Sequence, residues 1–204
     1  VAPEHDNLKG DNIYTSKGAI HYITELEINE ASQYLVEKIK SEKIVSLILG
    51  GPNKYYSFNS DQIINIFNQI KSIFVSDGYK VIIIPSMRTP KKIIDLAERE
   101  MSSCGYVVNK VDKQAYLSAY ALANYVIVTC DSTSMISEAA TSGKPIFVAH
   151  MKAKRNNYRF NRFYELFKQM GITRNLGEKV ETWTYNKHNE AQRIAAEIKN
   201  KIKN

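Results

Sequence analysis

The chain has 204 residues, 44% of them apolar and 24% charged, which argues against disorder and suits one sizeable core. No apolar run reaches the roughly 18 to 20 residues of a membrane-spanning helix, and Val1 does not open a charged-then-apolar leader, so the expectation is a soluble, cytoplasmic protein. The net charge of +7 sits entirely in the last quarter: residues 151–204 hold 13 Lys and Arg against 5 Asp and Glu, and residues 1–150 hold 15 against 16.

In chain order, "VAPEHDNLKG" has no start-of-domain character, and residues 1–42 mix turn residues with short runs before the helix-like "INEASQYLVEKIKSEK". This part is expected to lead in from a missing N-terminal domain. Five apolar, β-rich runs follow at 43–50, 80–85, 106–109, 125–130 and 144–150, each trailed by a helix-length segment. Their interiors lack polar alternation, as in parallel strands buried on both faces. Between them, Ile63, Ile66, Phe67, Ile70 and Phe74 recur at helical spacing behind a Ser60 cap, and a second helix is expected with Thr89 as cap and Pro90 in its first position. "QAYLSAYALA" and "STSMISEAATSG" repeat the pattern, with Gly143 as a helix stop. The sum is an α/β fold, a doubly wound parallel sheet over 43–175, followed by a basic helical extension over 176–204.

In such a sheet, ligands bind outside the carboxyl ends of the strands, where strand order reverses. If the strand at 43–50 lies beside that at 125–130, the crevice is lined by "GGPNKYYS" and "CDSTS". Gly50 and Gly51 remove side chains from the path of an anion, and Ser132, Thr133 and Ser134 offer hydroxyls at a helix start. Ser134 serves equally as a plain helix cap. Glu138 lies four residues beyond it, one too many for a capping box, and one turn into the helix it suits ribose hydroxyls. In "PSMRTP", Ser86 adds a hydroxyl and Arg88 a guanidinium that either forks onto a diphosphate or pairs with a nearby acid.

Other candidates carry less. Cys104 and Cys130 form no C-x-x-C and read as packed thiols in a reducing compartment. His5, His21 and His150 are isolated, and no metal site is expected. Phe160, Phe163, Tyr164 and Phe167 share a helical face, read as core or membrane-surface contact, or as a nucleic-acid stacking stripe. The basic quarter is a solvated face or meets acidic lipid, nucleic acid or phosphorylated ligands.

The segments "PEHD", "GAIHYIT", "LGGPNKYYSF", "PSMRTP", "YLSAYALANYVIVTCDSTSMISEAATSGKPIFV" and "KRNNYRFNRFYELF" resemble, in order, the signatures of the mitochondrial fission (elongated-mitochondria) family. Its bacterial members are labelled nucleoside-diphosphate-sugar epimerase-like and look like GT-B glycosyltransferases in fold. The resemblance implies a Rossmann-like, GT-B C-terminal-type domain that binds a nucleotide sugar. Asp131, Ser132, Ser134 and Glu138 would lie near donor phosphates and ribose, Gly50 and Gly51 across the cleft, and Ser86 and Arg88 nearby. It implies no cofactor and no nucleotide-binding metal, and leaves the catalytic residues unassigned because in that class the base often comes from the other domain. An epimerase, and an adaptor at an anionic inner-membrane surface reached through the basic end, are the alternatives. No nucleic-acid module is expected.

Overall fold

The computed structural model describes residues 1–177 and 180–203. Two short parallel strands, β1 (Ala2–Pro3) and β2 (Thr15–Ser16), precede helices α1 (Glu25–Glu30) and α2 (Val36–Ile39). The main sheet then alternates with helices: β3 (Ile44–Leu49), α3 (Ser60–Ile73), β4 (Lys80–Pro85), α4 (Lys91–Met101), β5 (Gly105–Val107), α5 (Lys113–Leu122), β6 (Tyr125–Thr129), α6 (Thr133–Ala139), β7 (Ile146–Ala149), α7 (Tyr158–Gln169), β8 (Thr173–Asn175) and α8 (Glu190–Lys203).

All six strands are parallel, in the order β5-β4-β3-β6-β7-β8. Counted along the chain this is 3-2-1-4-5-6, the doubly wound order of dinucleotide-binding sheets. The expected neighbours do meet: Val45 pairs with Tyr125 and Ile48 with Val128. Strand order reverses between β3 and β6.

The absence of polar alternation has a direct physical reading, because the sheet is covered twice. Val45, Leu47 and Leu49 of β3 turn to one face, against Ile63, Ile66, Phe67 and Ile70 of α3 and Ile93 and Leu96 of α4. Ile44 and Ile48 turn to the other, with Ala119 and Tyr120 of α5, Ile136 of α6 and Phe163 and Phe167 of α7. Side chains two apart share a face of a strand, so both sets must be apolar. The aromatic stripe of α7 is thus core.

The structure differs from the sequence expectation in detail. Among the described residues the sheet has six strands, not five: β8 is three residues long, and its Thr-Arg-Asn composition gives no apolar signal. Asn59, not Ser60, caps α3, its side chain accepting the Gln62 N–H at 3.0 Å. Pro90 occupies the cap position of α4. Thr89 instead donates to the Gly50 carbonyl at 2.6 Å. Ser132 rather than Ser134 caps α6.

Much of the basic last quarter is engaged with the first 25 residues. Arg159 pairs with Asp6 and Lys187 with Glu25. Arg162 donates to the His5 carbonyl at 2.8 Å and Lys201 to the Asp11 carbonyl at 2.7 Å. Glu190, only 6% exposed, accepts the Lys17 N–H at 2.8 Å and holds Arg193, which donates to the Thr15 carbonyl at 2.7 Å. This clamp latches the N-terminal segment to α8. Burial raises the Glu190 pKa, but the Arg193 and Lys17 donors outweigh it and leave a net lowering. A lowered carboxylate stabilises the fold above its unfolded pKa and ceases to do so as pH falls through its folded value. Glu190→Ala is therefore expected to cost about 1.5–3 kcal/mol, the range for hydrogen bonds to charged groups. Hydrogen exchange checks it: the Lys17 amide should lose protection, and the penalty should vanish in acid.

Candidate functional site

At the carboxyl ends of β3, β4 and β6 the eight residues singled out from the sequence come together in two layers. The lower layer is a buried knot around Asp131, whose side chain is wholly shielded from solvent. Gly51 N–H and Arg88 Nη2 both donate to its Oδ2 at 2.9 Å, and the Thr129 hydroxyl donates to its Oδ1 at 2.7 Å. Thr129 in turn accepts the Gly50 N–H at 2.9 Å, and Arg88 Nη1 donates to the Gly51 carbonyl at 3.0 Å. Burial pushes the Asp131 carboxyl up from its usual range, opposed by these donors.

The glycines have a steric reason here. A Cβ on Gly50 would stand 2.1 Å from Asp131 Oδ2, and one on Gly51 2.0 Å from the Arg88 carbonyl oxygen. The Gly51 amide reaches an anion, but that anion is the protein's own carboxylate, and the Gly50 amide is spent on the Thr129 hydroxyl. Of the two fates for Arg88, pairing with an acid is realised in this structure, the acid lying 43 residues along the chain. Two of its donors are so engaged, and its side chain is 42% exposed. Five N–H groups make up a guanidinium, so others stay available.

The upper layer is an open cavity of about 490 Å³ that receives Ser86, Arg88, Ser132, Ser134 and Glu138. Ser132 also caps α6, accepting the Met135 N–H at 3.4 Å. Glu138 is half-buried and accepts from the Tyr116 hydroxyl at 2.5 Å, while Tyr120 donates to the Tyr116 hydroxyl at 2.6 Å. Burial raises the Glu138 pKa, and the Tyr116 bond opposes the rise. Tyr22, Met87 and Val111, all exposed, give the cavity an apolar rim. The wall bearing Tyr22 and Ile23 is held against α6: Ala19 N–H donates to Ser137 Oγ at 3.0 Å, and His21 Nε2 bonds the Ser137 carbonyl at 3.2 Å.

Sequence reasoning missed Thr129, Asn53 and Tyr116. Asn53 Oδ1 accepts the N–H groups of Tyr55 and Tyr56 at 2.7 and 2.9 Å, and its Nδ2 donates to the Asp131 carbonyl at 3.0 Å. An Asn following Gly-Gly-Pro is a turn signal that could have marked it. Thr129 bonds Asp131 two residues on, inside the apolar strand run where a lone hydroxyl gave no signal, and Tyr116 carries none because its partner Glu138 lies on the next helix. His5 and His150 lie away from this cavity, and among the described residues no cluster of three or more His, Cys, Asp or Glu forms a metal site. No helix among the described residues is long and apolar enough to cross a membrane.

Fold and crevice together define a Rossmann-like α/β domain with a ligand-sized cavity at its topological switch point. The chain belongs to the mitochondrial fission ELM1 family, whose model matches residues 1–202. It is 30% identical to the uncharacterized protein RP120 of Rickettsia prowazekii, over 98% of this chain and 58% of that one. It is 23% identical to the mitochondrial fission protein ELM1 of Arabidopsis thaliana, over 94% of this chain and 46% of that one. The chain thus spans about half the length of these relatives. Among solved structures, a UDP-GlcNAc 2-epimerase from Neisseria meningitidis bound to UDP-GlcNAc is similar at 13% identity and a TM-score of 0.45, covering 83% of this chain and 39% of that one.

Gly51→Ala should destabilise the fold by at least the roughly 1–3 kcal/mol of an overpacked core, because the atom it meets is backbone, and Asp131→Ala by about 1–3 kcal/mol for each buried donor it strands, the Gly51 N–H and the Thr129 hydroxyl. Chemical denaturation checks both. For Glu138, a folded pKa above the unfolded value means that stability present below the unfolded pKa is lost as pH rises through the folded one. The stability of Glu138→Gln relative to the native chain should therefore improve from pH 4 to pH 7 in denaturant melts. Tyr116→Phe removes the opposing bond and should shift the Glu138 carboxyl further up in a ¹³C NMR titration.

Proposed function

We propose that the cavity binds a nucleotide-diphosphate sugar and that the chain is the donor-binding part of a GT-B-like glycosyltransferase. The observation that carries this reading is the placement of Glu138 among Ser86, Ser132, Ser134 and Arg88 in one cavity at the switch point. Ser132, Ser134 and the free donors of Arg88 suit a diphosphate. Tyr116 occupies one carboxylate oxygen of Glu138 and leaves Oε1 for ribose hydroxyls. The rim of Tyr22, Met87 and Val111 suits a flat base. In transfer, Arg88 would offset the charge that develops on the leaving diphosphate, without a bound metal.

The epimerase reading requires an acid and a base on opposite sides of the sugar. The carboxylates lining the cavity are Glu138 and Asp112, and Asp112 accepts the Ala115 N–H at 3.1 Å and the Tyr34 hydroxyl at 2.7 Å. Both Asp112 oxygens are engaged and Glu138 keeps only Oε1, which supports binding over epimerisation by a carboxylate pair of this chain.

Thermal shifts with UDP, GDP, CDP and ADP test the proposal. A diphosphate at about one hundred times its Kd should add about 2.7 kcal/mol, or roughly 5–10 °C at this size. The shift should be selective for one base and collapse in Glu138→Ala and Ser134→Ala. Equal shifts in native and variant chains would remove the site.

A further inference from the structure

Beside the cavity, two loops build a second feature that the nucleotide reading does not use. Residues 43–60 and 139–164 contain no acid at all. The loops after β3 and β7 come from these stretches and pair with each other: Tyr56 bridges antiparallel to Ala153, and Lys154 N–H donates to the Tyr55 carbonyl at 2.7 Å. This finger presents Lys54, Lys152, Lys154 and Arg155, all exposed.

The cations are held in place. Lys54 Nζ and the Arg155 guanidinium lie over the Tyr55 ring, 5.0 and 5.1 Å from its centroid, so they stand no more than about 10 Å apart. Lys154 Nζ is pinned to the Asn53 carbonyl at 2.8 Å, and Gln62 Nε2 donates to the Lys152 carbonyl at 3.1 Å. Asn53 ties the finger's base to Asp131. Of the nearby acids, Asp131 is engaged by Arg88 and Asp6 by Arg159, while Asp61 and Glu165, which directly follow the two acid-free stretches, are in no ion pair with the finger among the described residues. None of the finger's four cations forms an ion pair among the described residues. An ordered array of like charges repels itself, and an anion of the partner relieves that repulsion.

We infer that the finger formed by Lys54, Lys154 and Arg155 around Tyr55, flanked by Lys152, is a phosphate-binding site separate from the cavity, and that the acceptor which meets the donor there carries a phosphate group. The word acceptor rests on the nucleotide-sugar reading; the phosphate site does not. A phosphorylated lipid headgroup and a soluble phosphate share this chemistry.

The test compares the full chain with Lys54→Gln/Lys154→Gln/Arg155→Gln and with a charge-matched control, Lys9→Gln/Lys92→Gln/Lys199→Gln, at low ionic strength. Inorganic pyrophosphate titrated by calorimetry probes a soluble source, and co-sedimentation with phosphatidylcholine vesicles containing phosphatidic acid probes a lipid source. The finger variant should lose at least tenfold in affinity for one of these probes or both, with the control within about twofold of native, and which probe responds identifies the source. Binding that survives the finger substitutions lies elsewhere and overturns the inference. So does equal weakening in both variants, which is a field effect of net charge, or no saturable binding of either probe. The diphosphate shift of the cavity should persist in the finger variant, and phosphate binding at the finger should persist in Glu138→Ala. Failure of one reading is thereby distinguished from failure of the other.

Discussion

A single buried carboxylate organises the carboxyl edge of this sheet. Asp131 draws in the amide of Gly51, the hydroxyl of Thr129 and the guanidinium of Arg88, and so ties the loops after β3, β4 and β6 at one point. An ionised group taken out of water is costly unless its lone pairs are met, and here three donors meet them. The glycines follow from that requirement, since any side chain at Gly50 would occupy the space of the carboxylate. The serines and Glu138 in the cavity above inherit their positions from this floor.

The larger architecture was open to sequence reasoning because it rests on local pattern. Uniformly apolar runs such as "LIL" within β3 and "VIV" within β6 can be satisfied only by cover on both faces, and the core shows that cover. Short polar β8 escaped because three residues of Thr, Arg and Asn carry no such pattern. The residues of the crevice were legible by type and by place at strand ends. Their bonding was not: whether Arg88 serves a ligand or an acid depends on Asp131, which only the fold brings near. Tyr116 was invisible for the same reason, its partner Glu138 lying on the next helix. Distance along the chain, rather than weakness of the interaction, set the limit.

The charge distribution shows the same division. Composition locates the excess of cations in residues 151–204, but several of them hold the N-terminal segment through Asp6, Glu25, Glu190 and backbone carbonyls. Opposite charges from the two ends of the chain thus serve the fold. Net charge alone could not separate these cations from those of the finger, where no acid is present to be met.

The N-terminal segment is latched by α8 at Lys17, and a few residues later it supplies Tyr22 and Ile23 to the wall of the cavity. Latch and wall are therefore successive anchors of one stretch of chain, with Ala19 and His21 held to Ser137 between them. Any ligand that needs that wall ordered must tighten the latch by the same free energy with which the latch tightens the ligand, since coupling between sites is reciprocal. Were the two anchors to loosen together, occupancy of the crevice would be felt at α8, some fifty residues beyond Glu138 in sequence, without any contact between ligand and helix.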